Sequence, residues 1–330
     1  RLNIFRTFGI HRIHIFSMSG NEISIAFYNV ENLFDVNDDI NTLDREFTPK
    51  GKKKWGVYRY QLKVEKLGKA ISRIGEDNCK LPPVLIGLAE VENNIVLNDL
   101  IQSDSLQYLP YKYIHFDSPD ERGIDVALLY NTEIFKPIKS KAIPVIVHDS
   151  KNVRDYTRDI LYVKGKLNDE IIHIYVNHWP SKRSGYDETR LKRIEIAKLI
   201  HYEISTIEEE NPKILIMGDF NDNPNDDSIQ KHLVTKNFQN PMLTLYNQGV
   251  GASKFYGKWM LFDQIILSRN FFTENKYEYI FQKAFVFNAP FLTNPRGRFK
   301  NEPFRTYSGK YYQGGYSDHF PVYITLEKKT

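Results

Sequence analysis

The sequence predicts an α/β protein in which β-strands outnumber helices. Strand-like apolar segments recur from residue 22 to residue 326, and three segments carry the longer spacing of an amphipathic helix. No internal repeat and no linker rich in serine, glycine and proline divides the chain, which favours a single domain over residues 18–330. Several apolar segments also end abruptly in acidic, amide or histidine residues.

The predicted strands show two patterns. Residues 22–30 alternate apolar and other positions up to Asn29, as one face of a strand does. Residues 83–91 form a continuous apolar run that ends in an acid, which is typical of a strand buried on both faces. Further strands are predicted for residues 111–116, 125–130, 171–179, 213–222, 261–268, 280–287 and 317–326.

Helices are predicted for residues 59–74, about 95–102 and 188–208. The first places Leu67, Ala70, Ile71 and Ile74 on one stripe, as a helix packed on a sheet requires. The stretch 288–316 is rich in Gly, Pro, Tyr and Arg and is predicted as a long loop. Loops of that length are usually functional or disordered.

The composition is sufficient for a large hydrophobic core, and the net charge says little about the substrate. The 330 residues are 41% hydrophobic and 14% aromatic, which argues against disorder. The formal charge of +4 permits a polyanionic substrate such as DNA or RNA without requiring one. The basic run 49–55, PKGKKKW, either contacts a nucleic-acid backbone or is a solvated approach to the helix, and the second reading is favoured.

The cysteine count and the first residues bear on location. Cys79 is the single cysteine, which rules out an internal disulfide framework and favours a reducing compartment. Residues 1–17 are interrupted by basic residues and histidines, unlike a signal peptide, and are predicted to be an extension outside the fold. No apolar run approaches the roughly 20 residues that cross a bilayer. A cytoplasmic location is therefore favoured.

Five predicted strands deliver polar residues at one end. They carry Asn29, Glu90, the pair Asn177 and His178, the pair Asp219 and Asn221, and the pair Asp318 and His319, while Asp263 interrupts a sixth strand. Any one of these residues alone is most simply a turn residue or a polar strand end. Their recurrence favours one shared site, because strand ends at a common sheet edge are where α/β proteins build sites.

Seven motifs in this order resemble the endonuclease/exonuclease/phosphatase superfamily. They are FYNVENLFD, GLAEVEN, RGIDVALLY, NHWPSK, MGDFND, FDQIIL and YSDHFPV, and they span residues 23 to 326. The resemblance implies a four-layer α/β/β/α sandwich of two mixed β-sheets flanked by helices. It also implies a site at one end of the sandwich.

The resemblance further implies a divalent metal, Mg²⁺ or alternatively Mn²⁺. Glu90 matches the principal metal ligand, and Asn29 and Asp318 match residues close to the ion. Magnesium prefers oxygen ligands and keeps several waters, so one or two carboxylates suffice. Glu92 faces the same side of the strand if the strand continues, and it is either a second acidic ligand or a neighbour of a helix N-cap.

The catalytic roles are likewise implied by the resemblance. Asp219 matches the carboxylate that activates water, and Asn221 the amide that orients the water or the phosphate. His319 matches the histidine that contacts the scissile phosphate, and Asp263 the carboxylate that hydrogen-bonds that imidazole. His178 matches a second histidine that donates to a phosphate oxygen.

Three arginines are candidate phosphate contacts. Arg122 precedes the motif GIDVALLY, Arg183 follows HWPSK, and Arg305 precedes the SDH triplet. A guanidinium presents a fork of N–H donors that suits phosphate oxygens. A solvated loop arginine explains each of them as well.

These assignments predict a Mg²⁺-dependent phosphodiesterase that uses in-line attack of an activated water, with an endonuclease-like activity on nucleic acid favoured. The alternative is a phosphatase, or a phosphodiesterase acting on a phospholipid or small molecule, because fold does not decide substrate. A binding module without turnover is disfavoured because Glu90, Asp219 and His319 are all present. A monomer without an obligate protein partner is expected.

Overall fold

The structure is a computed structural model that describes residues 22–182, 185–274 and 277–328, except for the side chains of residues 186 and 187. The predicted extension over residues 1–17 and the candidate Arg183 lie outside the described residues.

Eighteen strands and four α-helices are formed in the described part of the chain. The strands are β1 (Glu22–Leu33), β2 (Leu85–Val91), β3 (Tyr111–His115), β4 (Asp125–Asn131), β5 (Phe135–Ile143), β6 (Val147–His148), β7 (Arg154–Asp155), β8 (Ile160–Leu167), β9 (Glu170–His178), β10 (Lys213–Asp219), β11 (Phe238–Gln239), β12 (Ser253–Phe255), β13 (Lys258–Met260), β14 (Asp263–Ser268), β15 (Tyr279–Val286), β16 (Tyr307–Ser308), β17 (Tyr311–Tyr312) and β18 (Val322–Lys328). The helices are α1 (Val57–Arg73), α2 (Asn94–Ile101), α3 (Tyr186–Ser205) and α4 (Met242–Asn247), with a π-helix over Ser228–Leu233.

Two six-stranded mixed sheets form the frame of the molecule. The first has the order β15-β18-β1-β2-β4-β3, and the second has the order β11-β14-β10-β9-β8-β5. Each sheet has one parallel pair at its centre, β1 with β2 and β9 with β10, and its other pairs are antiparallel. This arrangement confirms the predicted α/β class with two mixed sheets.

Side chains that alternate between the two faces of each strand form three apolar layers. One layer lies between the two sheets, and one lies between each sheet and its helices. Ile25 and Phe27 of β1 contribute to the core that both sheets share, whereas Ala26 and Tyr28 belong to the core beneath α1 and α2. On the other side, β9 and β10 pack against α3. The layers therefore follow from the two-residue period of a strand that is buried on both faces.

The predicted apolar stripe of α1 is confirmed. Leu67, Ala70 and Ile71 are fully buried and Ile74 is 1% exposed, so the stripe is the face by which the helix packs on the first sheet. The helix begins at Val57, two residues before the predicted start.

Strands β5 and β8 were not predicted from the sequence. Most residues of β5 are exposed or only half-buried because it is the edge strand of the second sheet. Its sequence, FKPIKSKAI, therefore lacks the apolar pattern of a core strand. Lysine and proline are common on exposed edges, where they discourage pairing with another chain.

One prediction about the C-terminal part was wrong in detail. The last strand begins at Val322, and Ser317, Asp318 and His319 lie in the approach to it. The stretch 288–316 is a packed segment with its own short hairpin, β16–β17, and Tyr307 and Tyr316 in it are buried. The segment is otherwise a long loop, as predicted, and most of its aromatic side chains pack into the core beneath α1, whereas Phe299 and Tyr311 are exposed.

None of the helices in the described part of the chain combines the length and the apolar character needed to cross a membrane.

The edge of the second sheet provides a test of the packing. Phe135 on β5 is fully buried, contacts the ring of Tyr130, and occupies the space above Gly165, where an added Cβ would lie 2.2 Å from the ring. Phe135→Ala is expected to lower the free energy of unfolding by about 3–5 kcal/mol, because it leaves a cavity in the core. Urea denaturation measures this change. Ile138→Ala, on the same strand at a side chain that is 54% exposed, should change the value little and serves as the matched control.

Candidate active site

Strand register brings three of the predicted residues together in the second sheet. Asp219, the last residue of β10, lies opposite His178 in the parallel pairing with β9 and opposite Asp263 in the antiparallel pairing with β14. Because paired residues on neighbouring strands are about 4.5–5.5 Å apart, the sheet itself sets the spacing of these side chains. All three are at most 5% exposed.

Irregular backbone positions the residues supplied by the first sheet. The pairing of β1 with β2 shifts register between Asn29 and Leu33, and that of β2 with β4 shifts between Ala89 and Val91. Glu90 lies in the second shift with φ +66°, a left-handed conformation uncommon for a side chain of this kind. Bulges re-aim side chains next to functional sites, and this one directs Glu90 to the Asn32 amide, 2.9 Å from Oε2.

Asn29 connects the two sheets at the site. Its Nδ2 donates to Asp219 Oδ2 at 3.0 Å and is 3.4 Å from Glu90 Oε1, while its Oδ1 accepts from the Glu31 amide at 3.0 Å. The side chain is 1% exposed. Asn29 thus holds the two carboxylates in place through its amide nitrogen, and its role as a metal ligand stays a prediction.

Asp219 is buried among hydrogen-bond donors. Burial raises its pKa to about 6, the neighbouring Asp263 charge adds to the rise, and the His319 charge opposes it. The backbone N–H of Asn221 donates to Oδ1 at 3.0 Å, and Asn221 Nδ2 donates to the Trp179 carbonyl at 2.9 Å. With a pKa near 6, this carboxylate is mostly ionised at neutral pH and is more basic than an ordinary aspartate, as a general base requires.

Asp263 and His319 form a buried ion pair. The His319 Nδ1 and Asp263 Oδ2 are 2.6 Å apart, and Asp263 is fully buried. Burial lowers the pKa of His319, but the Asp263 charge and hydrogen bond, followed by the charges of Asp318 and Asp219, outweigh this effect and leave the pKa well above its ordinary value. The imidazole is therefore a cation at neutral pH, with Nε2 directed away from Asp263.

His178 lies at the junction of the two sheets. Its Nε2 is 3.9 Å from Glu90 Oε1 and 3.8 Å from Asp219 Oδ2, and its side chain is 3% exposed. The backbone around it is fixed by Arg158, whose guanidinium donates to the His178 carbonyl at 3.2 Å and to the Trp179 carbonyl at 2.7 Å. Arg158 is itself paired with Asp120 at 3.0 Å.

The segment before β18 completes the site. Ser317 Oγ donates to the Asn29 carbonyl at 2.7 Å and accepts from the His319 amide at 3.1 Å, which joins this segment to β1. Asp318 Oδ2 pairs with Arg305 at 3.2 Å. Both side chains of that pair are about one third or more exposed, so they border the opening of the site.

This end of the sandwich carries carboxylates of the kind that a hard divalent cation takes as ligands. Glu90 and Asp318 supply carboxylates, and Asp318 lies close enough to the buried Glu31 to raise the pKa of that carboxyl, which burial and this charge together raise to about 7. Such a surplus of anions is what a hard divalent cation would balance. One ligand atom each of Asp219, Asp263 and His319 also lies within 4.8 Å of the others. Asp263 and His319 already pair with each other.

Three further candidates lie among the described residues, and a fourth does not. Arg122 Nε is 3.8 Å from Asp120 and its side chain is 34% exposed. Glu92 Oε2 accepts from the Asp35 amide at 2.6 Å, and the neighbouring Asn93 is the N-cap of α2. In the run 49–55, Lys53 lies over the Tyr307 ring and donates to the Gly309 carbonyl. Arg183 lies outside the described residues.

Sequence reasoning missed the buried pair that ties the aromatic segment to the site. Glu31 accepts from the amides of Thr306 and Tyr307, and Lys63 of α1 donates to Thr306 Oγ1 and the Tyr316 carbonyl. Burial lowers the pKa of Lys63 to about 8, against the effect of Glu31. Residues two apart on a strand point to the same face, so the position of Glu31 relative to Asn29 could have indicated that it lies near the site. The apolar stripe of α1 gives no sign that Lys63 is buried.

Solved structures share this fold. Humanized TDP2 of D. rerio with 14 mutations aligns with a TM-score of 0.58 and 13% identity over 94% of this chain and 100% of that one. A mannosyl-6-phosphatase from Bacteroides thetaiotaomicron aligns with a TM-score of 0.56 and 15% identity over 92% and 99%. The endonuclease/exonuclease/phosphatase from Bacteroides vulgatus aligns with a TM-score of 0.58 and 15% identity over 93% and 99%. No curated protein sequence is significantly similar to the chain.

Together with the shared fold, a match to a family of sequences identifies the class of this protein as a phosphoester hydrolase. The model of the endonuclease/exonuclease/phosphatase family matches residues 24–328, nearly the whole chain. The chain belongs to this family, as the motifs predicted.

The ion pair of Asp263 and His319 makes a prediction that does not depend on turnover. Asp263→Asn removes the carboxylate charge, so the pKa of His319 should fall, because burial then acts with less opposition. NMR titration of the His319 ring resonances measures this pKa. His201→Ala, which removes a distant ring that contacts the Leu233 carbonyl, should leave it unchanged. A pKa of His319 equal to wild type in Asp263→Asn would show that the pair does not set its charge.

Proposed function

We propose that this protein is a Mg²⁺-dependent phosphodiesterase that hydrolyses its substrate by in-line attack of water, with nucleic acid as the favoured substrate. The observation that carries the proposal is the contact between Asn29, Asp219 and Glu90 beside the buried pair of Asp263 and His319. This contact supports a reaction in which Asp219 activates the water and the His319 cation lies nearby.

Asp219 would accept the proton of the attacking water. Its Oδ2 is held by Asn29 and its Oδ1 by the Asn221 amide, so the carboxylate cannot turn away from the site. Fixing a base in one orientation removes an entropic part of the barrier. The elevated pKa makes the carboxylate a better proton acceptor while leaving it ionised at neutral pH.

His319 and His178 would contact the phosphate oxygens. The charge of His319 is maintained by Asp263, and a preoriented cation stabilises the negative charge that develops in the transition state. His178 is held by its backbone contacts to Arg158. Neither ring needs to reorganise as the reaction proceeds.

Glu90, Asn29 and Asp318 would hold Mg²⁺. When bound, the ion neutralises charge on the phosphoryl oxygens and on the departing oxygen. The protein orients the Glu90 carboxylate, because the Asn32 amide donates to Oε2 and the Asn29 side chain contacts Oε1.

The half-exposed arginines support a substrate larger than one phosphate. Arg305 pairs with Asp318 at the opening, and Arg122 lies beside Asp120, the partner of Arg158. Both guanidinium groups would contact phosphates that flank the scissile one. A phosphomonoester is the second candidate, because one protein that shares the fold over 92% of this chain is a mannosyl-6-phosphatase.

A substrate comparison separates these candidates. Bis-p-nitrophenyl phosphate should be hydrolysed with Mg²⁺, and EDTA should abolish the activity. Plasmid DNA, single-stranded RNA, mannose 6-phosphate and sphingomyelin then test the natural class. Preference for mannose 6-phosphate over both nucleic acids would favour the phosphatase, and hydrolysis that EDTA leaves intact would contradict the metal dependence.

Removing the proposed base gives a quantitative test. Asp219→Asn is expected to lower kcat by roughly 10³ or more, about 4 kcal/mol of transition-state stabilisation, because the amide cannot accept the proton. Steady-state kinetics with bis-p-nitrophenyl phosphate measure the loss. Asp169→Asn changes an exposed turn residue and should retain full activity. A kcat of Asp219→Asn within tenfold of wild type would refute its role.

The metal assignment predicts a separate effect. Glu90→Gln should raise the Mg²⁺ concentration that supports half-maximal activity, because a neutral amide binds a hard cation more weakly than a carboxylate. Activity measured against Mg²⁺ concentration gives this value. Glu133→Gln alters an exposed glutamate and is the matched control. An unchanged Mg²⁺ requirement in Glu90→Gln would place the ion elsewhere.

A further inference from the structure

A second polar cluster lies beside the active site, at the end of β3. His115, the last residue of that strand, has a side chain that is 1% exposed, and its Nε2 is 3.0 Å from Asp125 Oδ2. The other oxygen of Asp125 accepts from the backbone amide of Ser118 at 2.9 Å and from its hydroxyl. Asp125 is thus saturated with donors, and it fixes the orientation of the His115 ring.

The second ring nitrogen of His115 is buried and makes no hydrogen bond to any described residue. A neutral ring that donates its Nε2 proton to Asp125 carries a lone pair on Nδ1. Burying such an atom without a partner is unfavourable, and a bound ion or water is one of the features that satisfy it. The functions assigned above do not use this nitrogen.

The carboxylate of Asp117 faces this nitrogen. Its Oδ1 is 3.9 Å from His115 Nδ1, and its side chain is 86% exposed. Ligand atoms of His115, Asp117 and Asp125 all lie within 4.8 Å of one another. Two ligands of a tetrahedral Zn²⁺ are about 3.4 Å apart, a distance that a small rotation of the exposed Asp117 side chain provides.

Asp125 completes a known pattern of metal sites. A histidine that binds a metal through one nitrogen usually donates its other N–H to a carboxylate, which fixes the tautomer and makes the ring a better ligand. The His115–Asp125 contact has this form, with Nδ1 left over for the ion.

We propose that His115 Nδ1 and Asp117 bind a divalent transition-metal ion such as Zn²⁺ or Co²⁺, and that Asp125 supports His115 from behind. Two protein ligands leave positions for water or for an anionic oxygen of a bound molecule. Imidazole favours borderline ions of this kind, whereas Mg²⁺ prefers oxygen alone.

The site is separate from the proposed magnesium site but close to it along the sheet. Asp125 pairs with Val91, the residue after Glu90, so the two ions would lie on neighbouring strands. An ion there would add positive charge next to the strand that carries Glu90.

Cobalt binding tests the proposal. Metal-free protein is titrated with Co²⁺ in the presence of excess Mg²⁺, and the visible absorption of the bound ion is followed, with calorimetry of Zn²⁺ as a second measurement. Wild type should bind one equivalent that Mg²⁺ does not displace. His115→Ala and Asp117→Ala should each weaken this binding by at least about tenfold, and Asp125→Asn by about tenfold through loss of outer-shell support.

Control variants keep the result interpretable. Asp117 is exposed, so Asp117→Ala should fold as wild type does, which circular dichroism checks. His148→Ala removes an exposed histidine elsewhere and should bind Co²⁺ normally, and Glu90→Gln should too, because its defect concerns Mg²⁺. Co²⁺ binding in His115→Ala and Asp117→Ala that equals wild type, or wild type that binds no Co²⁺ in excess Mg²⁺, overturns the proposal.

Discussion

Two carboxylates buried side by side govern the architecture of the active site. Asp219 and Asp263 end or begin adjacent strands in direct register, and both are almost without exposure to solvent. Like charges in such a place are tolerated only with a cation and several donors nearby. His319 supplies the cation, and the side chain of Asn29 and the amide of Asn221 supply the donors. Each of these groups also has a place in the proposed chemistry, so the requirements of folding and of catalysis coincide.

The cation and the donors that these two carboxylates require come from separate parts of the molecule. His319 belongs to the segment before β18 in the first sheet, whereas its partner Asp263 begins β14 in the second. A bridge between Ser253 and His319 and the hydrogen bond from Ser317 to the Asn29 carbonyl hold that segment between the sheets. Helix α1 adds Lys63, which fastens the aromatic segment above it. The opening of the site is therefore shaped by contacts from both sheets and one helix.

Nine of the twelve strands of the two large sheets could be predicted, because buried strands carry apolar runs, and the motifs marked the candidate residues at their ends. The apolar run before Glu90 and the stripe of α1 are examples. The edge strand β5 escaped prediction because its solvent-facing residues follow no apolar period. Lys63 and Arg158 could not be assigned either, since their partners, among them backbone carbonyls, lie in segments distant in sequence. His115 and Asp125 are ten residues apart in sequence, and only the antiparallel pairing of β3 with β4 brings them together.

The hydrogen bond between Ser317 and Asn29 spans 288 positions of the chain. A ribosome has therefore made nearly all of the strands before the last part of the reaction centre exists. A chain halted after β15 lacks β18 and the whole segment before it. Such a chain has neither the hydrogen bond of Ser317 to β1 nor the imidazole that pairs with Asp263, so the buried carboxylates would have no cation beside them. The end of the first sheet at the candidate site is therefore completed only when the last strand has been made.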